Sequence, residues 1–293
     1  MADTLSTNIS ASFGAMVERT IAQMPQSAPM LSLARKLIVP KGSSTAQIPR
    51  VSSVSNVQTP TESEELSTTS RLTLASNTIT PTFRAIYVRV HVRAINYSQE
   101  DLIRLVSDEM ALSQGQDIDT DLTGEFGNWS TDNDIGASGE KLTLAKLRQA
   151  RRTLQSVARS NGGPPRGDVV TVLSPVVAEH VLEDLGAGGV GSGANWIPAG
   201  VSEQLIRRFH VSEIPLMGTA VFVDGYMTVD GSGDYICSMF GTEALVWACS
   251  MDWQMKLFDE AEWPGVTIRS LADYEAGIAG FNHHGCQITA DGG

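Results

Sequence analysis

The sequence predicts an α+β chain in which a compact body carries a long, two-armed β excursion. Three observations predict it. The stretch from Gly42 to Thr82 is dominated by Ser and Thr and has no Lys, yet apolar residues recur along it at short intervals: Ile48, Val51, Val54 and Val57, then Leu66, Leu72, Leu74 and Ile79. A flexible Gly/Ser linker has no such rhythm. From Phe83 to Ile95, apolar and polar residues alternate in the manner of a half-buried strand. From Lys141 onward, helical and strand patterns alternate as they do in α/β units. Long structured excursions from a compact body are uncommon and usually functional, and this one is built to touch a neighbouring chain.

Composition bounds the function. With 293 residues, 42% of them hydrophobic, the chain has the length and apolar content for a real core. Charged residues make up only 18%, against a usual level of about 25%. That suits a subunit that covers much of its surface with copies of itself, and equally a neutral polar monomer. The net charge of −12 repels phosphate backbones, so salt-sensitive nucleic-acid binding is disfavoured as the main activity. A container that encloses nucleic acid without gripping it meets no such objection. The three cysteines, Cys237, Cys249 and Cys286, form no CxxC pair, and the two in apolar strand-like runs read as buried thiols. The start, Met1-Ala-Asp-Thr, lacks the basic and apolar regions of a secretory signal. No apolar run approaches the ~20 residues of a membrane span. A soluble protein made in a reducing cytoplasm is expected.

Residues 1–41 read as a polar N-terminal arm with a short helical pattern from Phe13 to Met24, punctuated by Pro25, Pro29 and Pro40 and lying extended over other surfaces. In the strand that follows the excursion, Ile86, Val88, Val90 and Val92 face one way and Tyr87, Arg89, His91 and Arg93 the other. A helix then starts with Ser98 as its cap and Asp101 three residues on, carrying the stripe Leu102, Ile103, Val106, Met110. It is expected to fade into an acidic loop around Asp117, Asp119 and Asp121, ending near Trp129. Leu144, Leu147, Leu154 and Val157 line one face of a basic helix that also bears Arg148, Arg151, Arg152 and Arg159, closed by Asn161-Gly-Gly-Pro-Pro. Val169 to Leu173 reads as a buried strand, Ser174-Pro175 as the cap and first turn of a helix, and Gly186 as its stop. A short helix near Glu203 to Phe209 and strands at Ala220–Val223, Tyr235–Phe240 and Leu245–Ser250 follow. The tail from Val266 to Ala290 reads as long extended segments returning to an earlier sheet.

Motifs with chemical meaning are few. Gly186-Ala-Gly188-Gly-Val-Gly191 fits GxGxxG, but a helix precedes it where a strand belongs, so it reads as a loop. Asp117, Asp119 and Asp121 resemble the opening of a calcium loop, but Leu122 and Asn128 stand where Gly and Glu are needed, leaving a solvated acidic loop. The histidines show no metal spacing, and Glu179-His180 reads as an exposed polar step on a helix. No nucleophile elbow or Walker motif occurs. Catalytic, cofactor and metal residues are therefore expected to be absent. The charges of the excursion carry more: Glu62, Glu64 and Glu65 sit near its middle, where a tip belongs, and Arg84, Arg89 and Arg93 line the strand at its base. They either pair between neighbouring copies or are simply solvated.

The order of parts is where a family enters. An arm, a long β excursion, a strand feeding an amphipathic helix, the helix Leu-Thr-Leu-Ala-Lys-Leu-Arg-Gln-Ala-Arg (142–151), then Val-Val-Thr-Val-Leu-Ser-Pro (169–175) into another helix, and terminal strands: this resembles the major capsid proteins of tailed phages, the Hong Kong 97-like fold. The resemblance spans nearly the whole chain and rests on order and spacing. It implies an N-terminal arm (1–41), an E-loop (42–82), a discontinuous P domain of long helix and sheet (83–134 and 251–293) and an α/β A domain (135–250). It implies homo-oligomeric hexamers and pentamers closing an icosahedral shell around double-stranded DNA without specific binding. The arm is too short for a fused scaffolding segment, so a separate scaffolding protein is expected, with a portal and a cement protein as further partners, no membrane, assembly in the host cytoplasm and residence in the virion. One branch of the family crosslinks through an E-loop Lys. No Lys lies between Gly42 and Ile95, so the shell is expected to hold noncovalently. An encapsulin-type compartment shares the implied fold; an oligomeric α/β enzyme or ligand-binding protein is the reading from another class.

Overall fold

The apolar periodicities resolve into elements much as the residue patterns dictate. In a computed structural model the described residues are 17–20, 28–51, 74–91, 102–165, 167–188, 215–216, 219–259 and 265–292. Eleven strands are described: β1 (Arg35–Ile38), β2 (Ala46–Val51), β3 (Leu74–Ile79), β4 (Thr82–His91), β5 (Val169–Leu173), β6 (Pro215–Leu216), β7 (Thr219–Val223), β8 (Tyr235–Gly241), β9 (Leu245–Asp259), β10 (Gly265–Ile278) and β11 (Gly285–Ala290). Among the described residues are the helices α1 (Leu102–Gly124), α2 (Leu144–Gln155) and α3 (Pro175–Gly188), and residues 17–20 are helical as well. The chain divides into two units, one from segments 1–46, 79–123 and 246–277, the other from 47–78, 124–245 and 278–293.

The first unit is built on a sheet in the order β1-β9-β10-β4. The expected alternation in β4 is observed: Ile86, Val88 and Val90 turn inward and pack with Val106, Met110, Met255 and Ile268. That cluster seats α1 on the sheet. Helix α1 corrects the expected acidic loop, because it continues to Gly124 and carries Asp117, Asp119 and Asp121 with it. Its buried face is mixed in its second half, where the polar Gln114, Asp119 and Thr123 are buried beside Ile118 and Leu122. The apolar stripe is therefore interrupted in the sequence while the helix goes on. Hydrogen bonds supplement it: Gln114 Nε2 donates to Ser270 Oγ at 2.7 Å, and Asp119 accepts from the Met30 amide at 3.2 Å. The N-terminal segment packs into the first unit over its described length. Ala28, Met30, Leu33 and Val39 are buried, and β1 pairs parallel with β9 from Arg35↔Val246 to Ile38↔Cys249. The capping pair Ser98 and Asp101 lies outside the described residues.

The second unit holds a mixed sheet in the order β11-β8-β5-β7-β6, with β5 and β7 parallel and β8 antiparallel to β5. A parallel pair needs a crossover, and α3 begins it. Ser174 Oγ accepts from the Val177 amide at 3.2 Å, as its cap position dictates. The helix runs past Gly186 to Gly188, so two of the GxGxxG glycines are helical and the rest lie outside the described residues, as does the expected helix near Glu203. Helix α2 lays Leu144, Leu147, Ala150 and Leu154 against the core. The tail returns to two sheets: β10 pairs antiparallel with β4, and β11 with β8.

That last pairing divides the chain differently from the expected P and A domains: residues 124–134 and 278–293 go with the second unit. The reason is a polar clasp. Asn133 Nδ2 donates to the carbonyls of His283 and Gly285, at 2.9 and 3.0 Å, and Trp129 Nε1 donates to Ser238 Oγ at 2.8 Å. The Trp129 ring stacks on Phe240, with centroids 5.9 Å apart, and lies so close over Gly285 that a Cβ there would sit 2.1 Å from ring carbon. Gly285→Ala is expected to lower the unfolding free energy by about 1–3 kcal/mol, the usual cost of overpacking. Gly231→Ala, which meets open space, is expected to leave it within about 0.5 kcal/mol. Denaturant titration of the two variants checks the contrast.

Candidate intersubunit surface

The alternation that turns Ile86, Val88 and Val90 inward turns Phe83, Tyr87 and Arg89 outward. Phe83 is 63% and Tyr87 57% exposed. Register places Arg269 of β10 opposite Tyr87, and its guanidinium lies over two rings, 5.3 Å from the Tyr87 centroid and 4.2 Å from that of Phe258. Ile38 on β1 is 74% exposed. Aromatic rings stacked with arginine are what protein interfaces concentrate, and exposed apolar groups gathered on one sheet are what association covers. Phe258 and Arg269 were not singled out in the sequence. Their signal was the period-2 alternation of β9 and β10, hidden because β9 runs on to Asp259, beyond the Leu245–Ser250 segment that the pattern marked, and the tail was read only as extended.

Parity separates Arg84 from the other arginines. It is an even position, so it shares the inward face with Ile86 rather than the outward face with Arg89. Its fork is taken up within the subunit: Nη1 donates to Asp117 at 3.2 Å, and Nη2 to Asp121 at 2.5 Å, with Glu275 at 3.8 Å. The Tyr274 hydroxyl donates to Asp117, and the guanidinium lies 5.3 Å from the Tyr274 ring. Three carboxylates thus share one cation. Burial pushes the Asp121 carboxyl up to about 6, against the opposing pull of Arg84, with Asp117 and Glu275 adding to the rise. Burial and the Asp117 carboxylate push the Tyr274 hydroxyl up.

The root of the excursion is also described. β2 and β3 pair as a two-stranded ribbon. Asn77 Nδ2 of β3 donates to the carbonyls of Ile278 and Gly280, at 3.2 and 2.9 Å, and Arg50 of β2 lies 4.8 Å over the Phe281 ring and donates to the Gly280 carbonyl at 3.4 Å. Both arms are therefore anchored on the same turn. Glu62, Glu64, Glu65 and Arg93 lie outside the described residues.

The remaining candidates fall into structural roles. His180, expected as an exposed step, is only 9% exposed, while Glu179 beside it is open to solvent. His283 meets Ser130 Oγ at 3.1 Å, and His284 packs its ring on Phe281. All three cysteines are buried and unpaired, and burial pushes the Cys237 and Cys286 thiols up to about 12. Among the described residues, no group of His, Cys, Asp and Glu is arranged to hold a metal ion, and no helix is long and apolar enough to cross a membrane.

No protein-family model and no curated protein sequence matches the chain. Solved structures do. The mature capsid of bacteriophage PhiM1 superposes with a TM-score of 0.64 at 14% identity, over 87% of this chain and 84% of that one. The capsid of the native GTA particle gives 0.65 at 12% identity, over 90% of both chains. The holo-SrpI encapsulin of Synechococcus elongatus gives 0.61 at 7% identity, over 89% and 86%. The chain has the phage capsid fold that the order of its elements implied, and an encapsulin shares it.

The arginine node makes a pH-dependent prediction. A carboxyl raised to about 6 in the fold binds its proton more tightly there than in the unfolded chain. Its contribution to stability is therefore fully present below about pH 4 and is lost as pH rises through 6. Arg84→Met leaves the carboxylates uncompensated and is expected to cost about 2–4 kcal/mol at pH 7, with a smaller cost at pH 5, where Asp121 takes up a proton. Denaturant midpoints measured at both pH values check this. An equal loss at the two would contradict it.

Proposed function

We propose that this chain is a major capsid protein that assembles through pentamers and hexamers into an icosahedral shell enclosing phage DNA. The observation that carries the reading is the two-way coverage of the likeness. It spans 90% of both this chain and the GTA capsid chain, so a whole shell subunit is alike and not one shared module. The role is structural, and the product is a particle, located in the virion and assembled in the host cytoplasm. A separate scaffolding protein, a portal and a cement protein are its partners in this reading.

The physical account supports it. An isolated two-stranded ribbon is marginal in water, so an excursion of this kind gains its stability from a surface to lie on. The anchored root of β2 and β3 aims it, and the exposed Phe83, Tyr87 and Phe258 give a neighbouring copy apolar area to cover. Contacts of this head-to-tail kind are heterologous and close by rotation into rings. Glu62, Glu64 and Glu65 of one copy are proposed to meet Arg89 and Arg93 of another, while Arg84 serves inside its own subunit. The contact is noncovalent, with no Lys between Gly42 and Ile95 to crosslink it.

A second reading, an encapsulin-type compartment around a cargo protein, is favoured by the encapsulin likeness. The contents of purified particles separate the two: nucleic acid for a capsid, a co-purifying protein for a compartment. Deleting residues 55–78 tests the arm. The variant is expected to keep the far-ultraviolet dichroism and cooperative melting of a folded subunit, yet to sediment as small species where the full chain forms shells. Unfolding of the variant would place the segment in the core and overturn the assignment.

A further inference from the structure

Helix α2 is two-faced. Leu144, Leu147, Ala150 and Leu154 bury one side. On the other, Arg148, Arg151, Arg152 and Gln155 line an open depression of about 410 Å³. The spacing i, i+3, i+4, i+7 puts all four side chains on one stripe, about 10 Å long at 1.5 Å per residue. Such a cluster is unusual in this chain, which has 33 acidic residues against 21 basic ones. Several other described cations are committed: Lys141 to Glu183, Lys146 to Glu140, Lys36 to Asp252, Arg19 to Asp108 and Arg84 to Asp121. Arg151 and Arg152 have no carboxylate partner among the described residues.

We propose that this face of α2 contacts the phosphate backbone of enclosed double-stranded nucleic acid without reading its sequence. The proposal rests on the capsid reading and adds to it the part of the subunit that faces the genome. The lining chemistry selects the ligand. A protein interface concentrates aromatic and apolar groups beside its arginines, and no aromatic or apolar residue lines the depression among the described residues. Nucleic-acid interfaces are polar and strongly positive. Guanidinium forks match phosphate oxygens in pairs, and Gln155 adds an amide donor of the kind that also bonds phosphate. Two adjacent arginines against a net charge of −12 give weak binding per subunit. Repeated over every copy in a shell, weak contacts add by effective concentration and still let the genome leave.

The test uses unassembled full-length subunits and fluorescein-labelled double-stranded DNA of random sequence, read by anisotropy across a salt series. The wild-type chain is expected to bind with an affinity that falls steeply with salt and does not depend on sequence. Arg151→Gln/Arg152→Gln is expected to bind at least about fivefold more weakly, with the log–log salt slope reduced by about two. Arg35→Gln/Lys41→Gln removes the same charge from other exposed positions and is expected to bind like the wild type. Three outcomes overturn the proposal: no DNA binding by the wild type at low salt, equal loss in both double variants, or loss of poly-glutamate binding in the arginine variant with DNA binding intact, which would assign the face to an acidic protein segment. Electron microscopy of the arginine variant keeps the two readings apart. Shells with unaltered DNA affinity sink this proposal alone, whereas absence of shells from the wild type sinks the capsid reading.

Discussion

The first unit depends on one guanidinium. Arg84 on β4 bonds Asp117 and Asp121 on α1, and Asp117 in turn accepts from Tyr274 on β10. Three segments remote in sequence are thereby held at one point. Around that point α1 buries Gln114, Asp119 and Thr123 beside Ile118 and Leu122, so polar groups share its grip on the unit. A helix seated this way is oriented by hydrogen bonds, which are directional, as well as by burial, which is not. The cost is visible in Asp121, whose carboxyl rises toward neutrality even with the cation beside it. With three carboxylates on one cation, the node has no spare positive charge, so losing Arg84 leaves buried negative charge uncompensated.

That inward commitment decides what faces outward. With Arg84, Ile86, Val88 and Val90 turned to the helix, Phe83, Tyr87 and Arg89 have to point away from it. Arg269 then lies across Tyr87 and Phe258, an aromatic and cationic surface that a lone subunit leaves wet. The root of the excursion is fixed separately, in the second unit, by Asn77 and Arg50 on the turn from Ile278 to Phe281. A shell subunit has to present such features in fixed relation to its own core, because assembly repeats any looseness at every contact.

Much of this was legible in the residues, and the failures share one cause. Val169 to Leu173, the Ser174 cap and the β4 alternation were read directly, since a buried strand, a capped turn and a half-buried strand each leave a local periodic trace. The second half of α1 was missed because Gln114 interrupts the apolar series, and Asp119 and Thr123 share the buried face with Ile118 and Leu122, so the helical period in hydrophobicity is diluted there. His180 was placed on the surface because it follows Glu179, which is exposed, although one step along the helix turns it to the buried side. Arg84 was grouped with Arg89 and Arg93 by charge, although counting positions along the strand sets it on the opposite face. The arginine stripe of α2 was seen, but the lack of acidic partners for Arg151 and Arg152 needed three dimensions.

The central claim is that this chain closes into a shell. Negative-stain electron microscopy of the purified full-length protein, with a scaffolding protein coexpressed if required, tests it most directly. Uniform closed particles, or the pentameric and hexameric rings from which they are built, are the predicted result. A persistently monomeric protein under both conditions would contradict the account.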